Sequence, residues 1–357
     1  DKVFDNSLEA LVDQHPQSKD IQKLRREVLT LRKQAKAFKR NFGSAEREQR
    51  KALYREARQV VGTIKELEQY VIDSIIGTAD VVCATLVGAS NRELNLVEFH
   101  TVVIDEAGQS LEPLCWIPIL RAKKVVLAGD PHQLPPTVKS PEAHRQGLSK
   151  TLLEKVIDKT DSANLLTTQY RMNKAIMAFS NEEFYEGKLI AHDSVADHSL
   201  DELPVEFVDT AGCGFDEKMG ESTRSRFNPG EIDILRSHRE ASGIQAPTAI
   251  ISPYREQVLQ LIDACMSEGL TTVNTVDSFQ GQERDVVYIS LVRSNEKAEI
   301  GFLKDYRRMN VAMTRARKKL VVIGDSATIG QDQFYARFID YCEANGFYRS
   351  AWEFMSV

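Results

Sequence analysis

The sequence is short of several things, and each shortage removes a class of protein. Only five cysteines occur in 357 residues: Cys83, Cys115, Cys213, Cys265 and Cys342. Their odd number, wide scatter and lack of any CxxC pair leave neither a disulfide framework nor a cysteine metal site. No apolar run is long enough to span a bilayer, and no signal peptide opens the chain. Together these absences lead us to expect an intracellular protein, cytoplasmic or nuclear, with no membrane partner. A basic excess is missing as well, because 46 Lys and Arg face 52 Asp and Glu for a net charge of −6. Nucleic-acid binding would therefore have to rest on a local face. The first residue is Asp1 rather than Met, so we expect an internal or C-terminal piece of a longer protein.

What is present is the composition of an ordinary globular chain, long enough for two domains with full cores. Residues 1–18 are polar apart from a short apolar patch, Leu8 to Val12. A helical pattern follows, with Ile21, Leu24, Val28, Leu31, Ala35 and Phe38 spaced alternately by three and four. Leu53, Ala57, Val60, Ile64, Leu67 and Val71 repeat that seam. Between them Asn41-Phe42-Gly43-Ser44 reads as a turn, with Gly43 stopping one helix and Ser44 capping the next. The pattern predicts an antiparallel hairpin with arms roughly 30–40 Å long at 1.5 Å per residue. Its first arm carries Lys23, Arg25, Arg26, Arg32, Lys33, Lys36, Lys39 and Arg40. Such an arm can follow a phosphate backbone. The commoner role of such charges is to solvate the outer face of a coiled coil, which is the reading we prefer.

From residue 78 the period changes. Runs at Val81 to Leu86, Thr101 to Ile104 and Lys123 to Ala128 read as buried strands with helices between them, an α/β domain with a mostly parallel sheet. A second set follows at Leu165 to Thr168, Val205 to Val208, Thr248 to Ser252, Thr272 to Val276, Val286 to Val292 and Leu320 to Ile323. Residues 191–203 and 211–230 are polar and read as surface loops.

The stretch that organises the chain is Val102-Val103-Ile104-Asp105-Glu106-Ala107-Gly108-Gln109. A β-branched run predicts a strand buried on both faces, and in open α/β sheets the ligand crevice lies beyond the carboxyl ends of strands. Two acids there suit a metal–nucleotide site, one oxygen for Mg²⁺ and one base for a water. Alone, such a pair more often marks a solvated turn. The next strand ends in Ala128-Gly129-Asp130-Pro131-His132-Gln133-Leu134-Pro135-Pro136-Thr137. Gln133 can donate to a γ-phosphate and accept from a water, or the prolines can simply shape a loop. In Thr168-Gln169-Tyr170-Arg171-Met172, Arg171 can pair bidentately with phosphate and Tyr170 can stack on a base. In Val276 to Glu283, Gly281 permits close backbone approach to a ligand and Glu283 can accept from a ribose hydroxyl. Arg315 and Arg317 sit in a helix-like segment, two residues apart, and so cannot share one role.

Taken in order, Asp105-Glu106-Ala107-Gly108, Gly129 to Pro136, Gln169-Tyr170-Arg171-Met172, Val276 to Glu283 and Asn310 to Arg317 resemble motifs II to VI of superfamily 1B helicases. The likeness is greatest to the nonsense-mediated-decay group. Within it, Cys115 to Pro118, Val208 to Gly214, Asn228 to Glu231 and Val292 to Asn295 match the immunoglobulin-μ-binding-protein-type helicases best. The resemblance implies two RecA-like domains with ATP between them, and a hairpin inserted in the first. The expected division is 1–18 as a remnant of the first domain, 19–76 as the hairpin, 77–160 as the rest of the first domain and 161–357 as the second.

By the same resemblance Asp105 holds Mg²⁺, Glu106 activates water, Gln133 senses the γ-phosphate, and Arg171 and Arg315 are arginine fingers. Gly129, Asp130, Tyr170, Gly281 and Glu283 line the ATP site, with Tyr170 near the adenine and Glu283 on the ribose. Single-stranded DNA or RNA crosses the opposite face at Thr85, Ser252, Pro253, Tyr254, Thr275 and Ser278, through small hydroxyls, amides and one ring. A monomer that moves 5′ to 3′ is expected. One motif of the family is missing: no GxxxxGK(S/T) loop occurs, and Gly62-Thr63-Ile64-Lys65 lies inside a helical seam. The β- and γ-phosphates thus lose their main anchor, and the chain alone is expected to be inactive although its parent hydrolyses ATP. The alternative is a nucleic-acid-binding scaffold with an inactive ATPase.

Overall fold

The computed structural model describes residues 5–37, 43–95, 97–265 and 269–355. Two compact units form, residues 1–104 with 113–126, and residues 105–112 with 127–357.

The first unit begins with α1 (Leu8–Gln14), then the hairpin of α2 (Ser18–Lys36) and α3 (Ser44–Thr78). The two seams meet as their spacing requires. Ile21, Val28, Leu31 and Ala35 of α2 and Ala57, Ile64 and Val71 of α3 are the buried residues. Arg25 of α2 donates to Glu68 of α3 at 2.7 Å, which fixes the antiparallel sense. Lys23, Arg25, Arg26, Arg32, Lys33 and Lys36 are all exposed, as a solvating outer face demands. Phe38, Lys39, Arg40, Asn41 and Phe42 lie outside the described residues. The cap falls one residue earlier than expected, because the Glu46 carboxylate accepts from the Gly43 N–H at 3.0 Å and Ser44 is already helical. The second arm is also longer than expected: its 35 residues reach about 52 Å.

Strands β1 (Phe99–Ile104) and β2 (Ala122–Leu127) pair with each other, with α4 (Glu112–Ile119) between them in the chain. Neither is buried on both faces, since Val103 is 63% exposed and Val125 and Val126 are about as open as surface residues. Val81 to Leu86 forms no strand, and Val81 is exposed. The apolar run supplies strand propensity, but double burial needs flanking strands and covering helices, and among the described residues these two strands have only each other.

The second unit adds the short helices α5 (Pro141–Arg145) and α6 (Leu152–Ile157), then β3 (Thr168–Gln169), α7 (Lys174–Tyr185), β4 (Ile190–Ala191) and α8 (Asp193–Ala196). Of the expected Leu165–Thr168 run only Thr168 pairs, with Gln169 after it, against β4, while Leu165 and Leu166 stay exposed. The main sheet then follows: β5 (Val205–Asp209), β8 (Thr248–Ile251), β9 (Thr271–Asn274), β10 (Arg284–Ser290), β11 (Ala316–Gly324) and β12 (Tyr348–Ser350). Its order is β12-β5-β11-β10-β8-β9 and every pairing is parallel. The polar stretch 211–230 is not all loop. It holds a small antiparallel ladder of β6 (Lys218–Met219) and β7 (Arg226–Phe227).

Alternation along the strands builds two cores. Val205, Phe207, Ala249, Ile251, Val287, Ile289, Leu320 and Val322 pack on one face. Their cover is α7, α11 (Tyr306–Met313) and α13 (Gln333–Ala344), the last preceded by the four-residue α12 (Ser326–Ile329). Val208, Ile250, Val286, Tyr288, Val321 and Ile323 face the other way, under α9 (Pro229–Ser242) and α10 (Arg255–Cys265). The ends of α9 are legible in the sequence: Asn228 caps it, Pro229 opens it, and Gly243 closes it at φ +60°. After β9 the chain returns to the other side of β8.

Candidate active site

Glu283 and Arg315 become neighbours through strand register. They precede β10 and β11, which start side by side with Arg284 opposite Ala316, and the Arg284 N–H donates to the Arg315 carbonyl at 3.0 Å. Arg315 is 3% exposed. Its Nε donates to the Val311 carbonyl at 3.1 Å and its Nη1 to the Gln282 carbonyl at 3.4 Å. Burial, and then the neighbouring Arg171 guanidinium, pull its pKa down to about 10, while Glu106 and Glu283 oppose the shift. Arg315 therefore stays charged at neutral pH. Arg171 reaches the same place from beyond β3, donating through Nε to Glu283 at 2.6 Å and through Nη1 to the Thr314 carbonyl at 3.3 Å.

The expected helix-like setting for Arg315 and Arg317 is corrected. The helix ends at Met313, Arg315 lies at the junction, and Arg317 is in β11. Different partners nevertheless give them different roles, because Arg317 faces Glu283 and Asp285 at 3.7 Å.

Asp105 and Glu106 follow β1 directly and both are exposed. Glu106 adopts the left-handed conformation, φ 51° and ψ 38°, which is uncommon for any residue but glycine. It is held there by its N–H on Asp105 Oδ1 at 3.0 Å, by the next N–H, of Ala107, on the Ala128 carbonyl at 2.8 Å, and by Gln109, whose amide donates to Oε2 at 2.5 Å. The small residues that follow are a packing requirement. A Cβ on Gly108 would lie 2.8 Å from the Asp130 carbonyl, and one on Gly129 2.9 Å from the Gly108 nitrogen. Only glycines let the two loops approach this closely.

Asp130 is the hub of the second loop. Its carboxylate accepts from the His132 N–H, from Gln133 Nε2 at 2.9 Å and from the Tyr185 hydroxyl at 2.6 Å. Burial, and then the Asp130 charge, hold the Tyr185 hydroxyl well above its ordinary pKa, so it remains a donor. Asn310 of α11 donates to the His132 carbonyl at 2.9 Å and to Tyr185 Oη at 3.2 Å. Arg307 donates to the Pro131 carbonyl at 3.3 Å and to Glu154 at 3.2 Å. Tyr185, Arg307 and Asn310 were not singled out from the sequence. Asn310 and Arg307 had a signal in their spacing of three, one helical turn, whereas nothing marked Tyr185.

Tyr170 is 64% exposed, its ring tilted against His192 with centroids 4.5 Å apart. Gly281 is exposed at φ +73°, with nothing within 4 Å of where a Cβ would be.

Of the residues expected to meet nucleic acid, those in the second unit lie apart from this cluster. Ser252, Pro253 and Tyr254 follow β8, and Thr275 and Ser278 follow β9, so within the second unit they sit at the carboxyl ends of strands while Glu283 and Arg315 sit at the amino ends. Thr275 and Ser278 share a hydrogen bond of 3.3 Å, and Ser278 is exposed. Ser252 and Tyr254 are buried, at 0% and 3% exposure, so Tyr254 offers no free ring for stacking. Burial follows from the core: Tyr254 packs on Phe302 and its hydroxyl lies 3.5 Å from Arg293. Thr85, in the first unit, is exposed, and its hydroxyl accepts from the Gly88 N–H at 2.9 Å. A cavity of about 730 Å³ lined by Thr210, Ser294, Asp325 and Thr328 contains none of the expected site residues.

Two family models, each described as AAA domain, match residues 1–141 and 148–327. The chain is 37% identical to DNA-binding protein SMUBP-2 of Rattus norvegicus over 99% of its own length and 38% of that protein. It is 38% identical to DNA polymerase alpha-associated DNA helicase A of Saccharomyces cerevisiae, over 83% of the chain and 50% of the relative. With the Regulator of nonsense transcripts 1 homolog of Drosophila melanogaster it shares 32% identity over 78% of the chain and 25% of the relative. The chain thus spans half or less of these relatives. It belongs to the AAA-domain family of superfamily 1 helicases.

Proposed function

We propose that this chain supplies the motor core of an ATP-dependent helicase that moves on single-stranded DNA or RNA, 5′ to 3′. The observation that carries the reading is the convergence of Arg171, Glu283 and Arg315 at the amino ends of β10 and β11, with Glu106 close enough to act electrostatically on Arg315. The relatives named for DNA binding and for helicase activity support it. The division into a hairpin at 19–76, a first RecA-like domain closing at 160 and a second from 161 belongs to the same reading.

In this reading Glu106 accepts a proton from the attacking water, and Gln133, already held by Asp130, orients toward the γ-phosphate. Arg171 and Arg315 meet the charge that develops on the transferred phosphoryl group. To do so Arg171 exchanges part of its pairing with Glu283, which frees that carboxylate for a ribose hydroxyl. Tyr170 offers the open ring for adenine. Asp105 fits Mg²⁺: it is a hard oxygen donor, exposed, with Oδ1 accepting from the Glu106 amide. Among the described residues no cluster of three or more His, Cys, Asp or Glu could hold an ion by itself. An ion at Asp105 would thus take its other ligands from phosphate and water, the usual habit of Mg²⁺. A Mg²⁺ held by Asp105 would supply positive charge to offset that of the phosphates.

The test is strand-stimulated ATP hydrolysis by the whole protein that carries this chain. Glu106→Gln and Arg315→Ala should each lower it by about 10³-fold. Strand binding without any stimulated hydrolysis in the wild type would replace the motor with a nucleic-acid-binding scaffold.

A further inference from the structure

We propose that Phe302 is the base-stacking platform of the single-strand path in the second unit. The inference rests on the strand-binding reading above and names the ring that does the stacking.

Tyr254, the ring expected from the sequence, is buried, and Phe302 lies over it with centroids 5.8 Å apart while remaining 67% exposed. Exposure of Phe302 is enforced by its neighbours. Ile300 and Leu303 on either side are 3% and 4% exposed and belong to the core. The Leu303 carbonyl accepts from Tyr335 Oη at 2.9 Å, and the Phe302 carbonyl accepts from the Asp305 N–H at 3.2 Å. Gly301, at φ +56°, lets the turn sit directly on the groups beneath it. A Cβ there would be 2.1 Å from Arg293 Nη1 and 3.1 Å from Tyr254 Oη.

The platform below is itself fixed. Arg293 is 3% exposed and donates to Glu217 at 2.6 Å. The backbone before it is pinned at Val292, φ +72°, whose N–H donates to buried Glu231 at 3.0 Å and whose carbonyl accepts from Asn228 at 3.3 Å. An aromatic ring held this way loses little freedom when it binds, which is what makes such rings effective anchors.

The surroundings select the occupant. Single exposed apolar side chains are common and need no explanation. A protein partner would ask for a contiguous apolar patch, whereas Gly301, Lys304 and Glu299 beside Phe302 are exposed and offer none. One flat ring, next to a lysine that can meet a phosphate and beside the Ser252–Tyr254 segment, fits an unstacked base of a single strand. Glu299 and Asp305 keep the patch from being strongly basic, so the contribution should depend on the base more than on the phosphate.

The experiment compares wild type, Phe302→Ala and Phe302→Tyr by fluorescence anisotropy, on labelled oligothymidine and on an abasic strand of equal length. Phe302→Ala should weaken oligothymidine binding by about ten- to a hundredfold, leave abasic binding unchanged and keep the thermal midpoint of wild type. Phe302→Tyr should restore the thymidine affinity. Unchanged thymidine binding in Phe302→Ala, or an equal loss on both strands, would overturn the assignment of Phe302 alone. Failure of the wild type to bind either strand would overturn the strand-binding reading together with it.

Discussion

At the scale of single residues, two buried carboxylates, Glu231 of α9 and Glu206 of β5, respond to pH in opposite directions. Glu231 is fully buried, and burial first, then the Asp325 charge, push its pKa from 4.5 up to about 8. The native state therefore keeps a proton that the unfolded chain releases, so stability falls as pH rises from about 5 to 8. Glu231→Gln should flatten the pH dependence of urea midpoints across that window. A steeper fall in the variant would refute the assignment. Glu206 is the reverse case. Burial opposes its ionisation, but hydrogen bonds from His238 and Lys319 more than offset this and hold it at about 2. Its contribution is present above the ordinary 4.5 and is lost as pH falls from there toward 2. Gly108 makes a steric prediction. Gly108→Ala places a methyl group 2.8 Å from the Asp130 carbonyl and should cost about 1–3 kcal/mol in chemical unfolding. Here the sequence showed that small residues follow the acid pair, but only the folded loops show what they make room for.

At the scale of elements, β5 and β11 are joined by more than their ladder. Lys319 of β11 is 1% exposed, pairs with Glu206 of β5, and donates to Asp201 and the Leu203 carbonyl, each at 2.6 Å. Lys319→Met removes the cation paired with buried Glu206 and should cost about 3–5 kcal/mol in unfolding free energy. A Lys319→Met, Glu206→Leu double variant should recover most of it. If the single and double variants are equally unstable, the pair has no special weight. The hairpin was the most legible element, since its seam residues at a 3.5-residue period are the ones that bury. Strands β5, β8, β10 and β11 were found within a residue or two at most ends because a strand covered on both faces is continuously apolar. Runs of two or three residues such as β4, β6, β7 and β12 carry no such pattern and pair only because tertiary structure brings a partner alongside.

At the scale of the whole molecule, no segment of the 357 residues provides the amide cradle and lysine of a P-loop. On the proposed motor reading the chain by itself should show little strand-stimulated phosphate release; rapid release from the chain alone would mean that another group anchors the phosphates. Order and spacing of motifs pointed to the family and to the alternating parallel sheet, because these depend on local chemistry and on period. Tertiary structure decided the rest. It set Arg171 against Glu283, a pairing across 112 residues, and put Tyr185 and Asn310 around Asp130. It also turned Tyr254 inward and left Phe302 outside. A motif states which side chain is present, whereas burial and partner depend on what packs over it, and that is fixed only when distant segments meet.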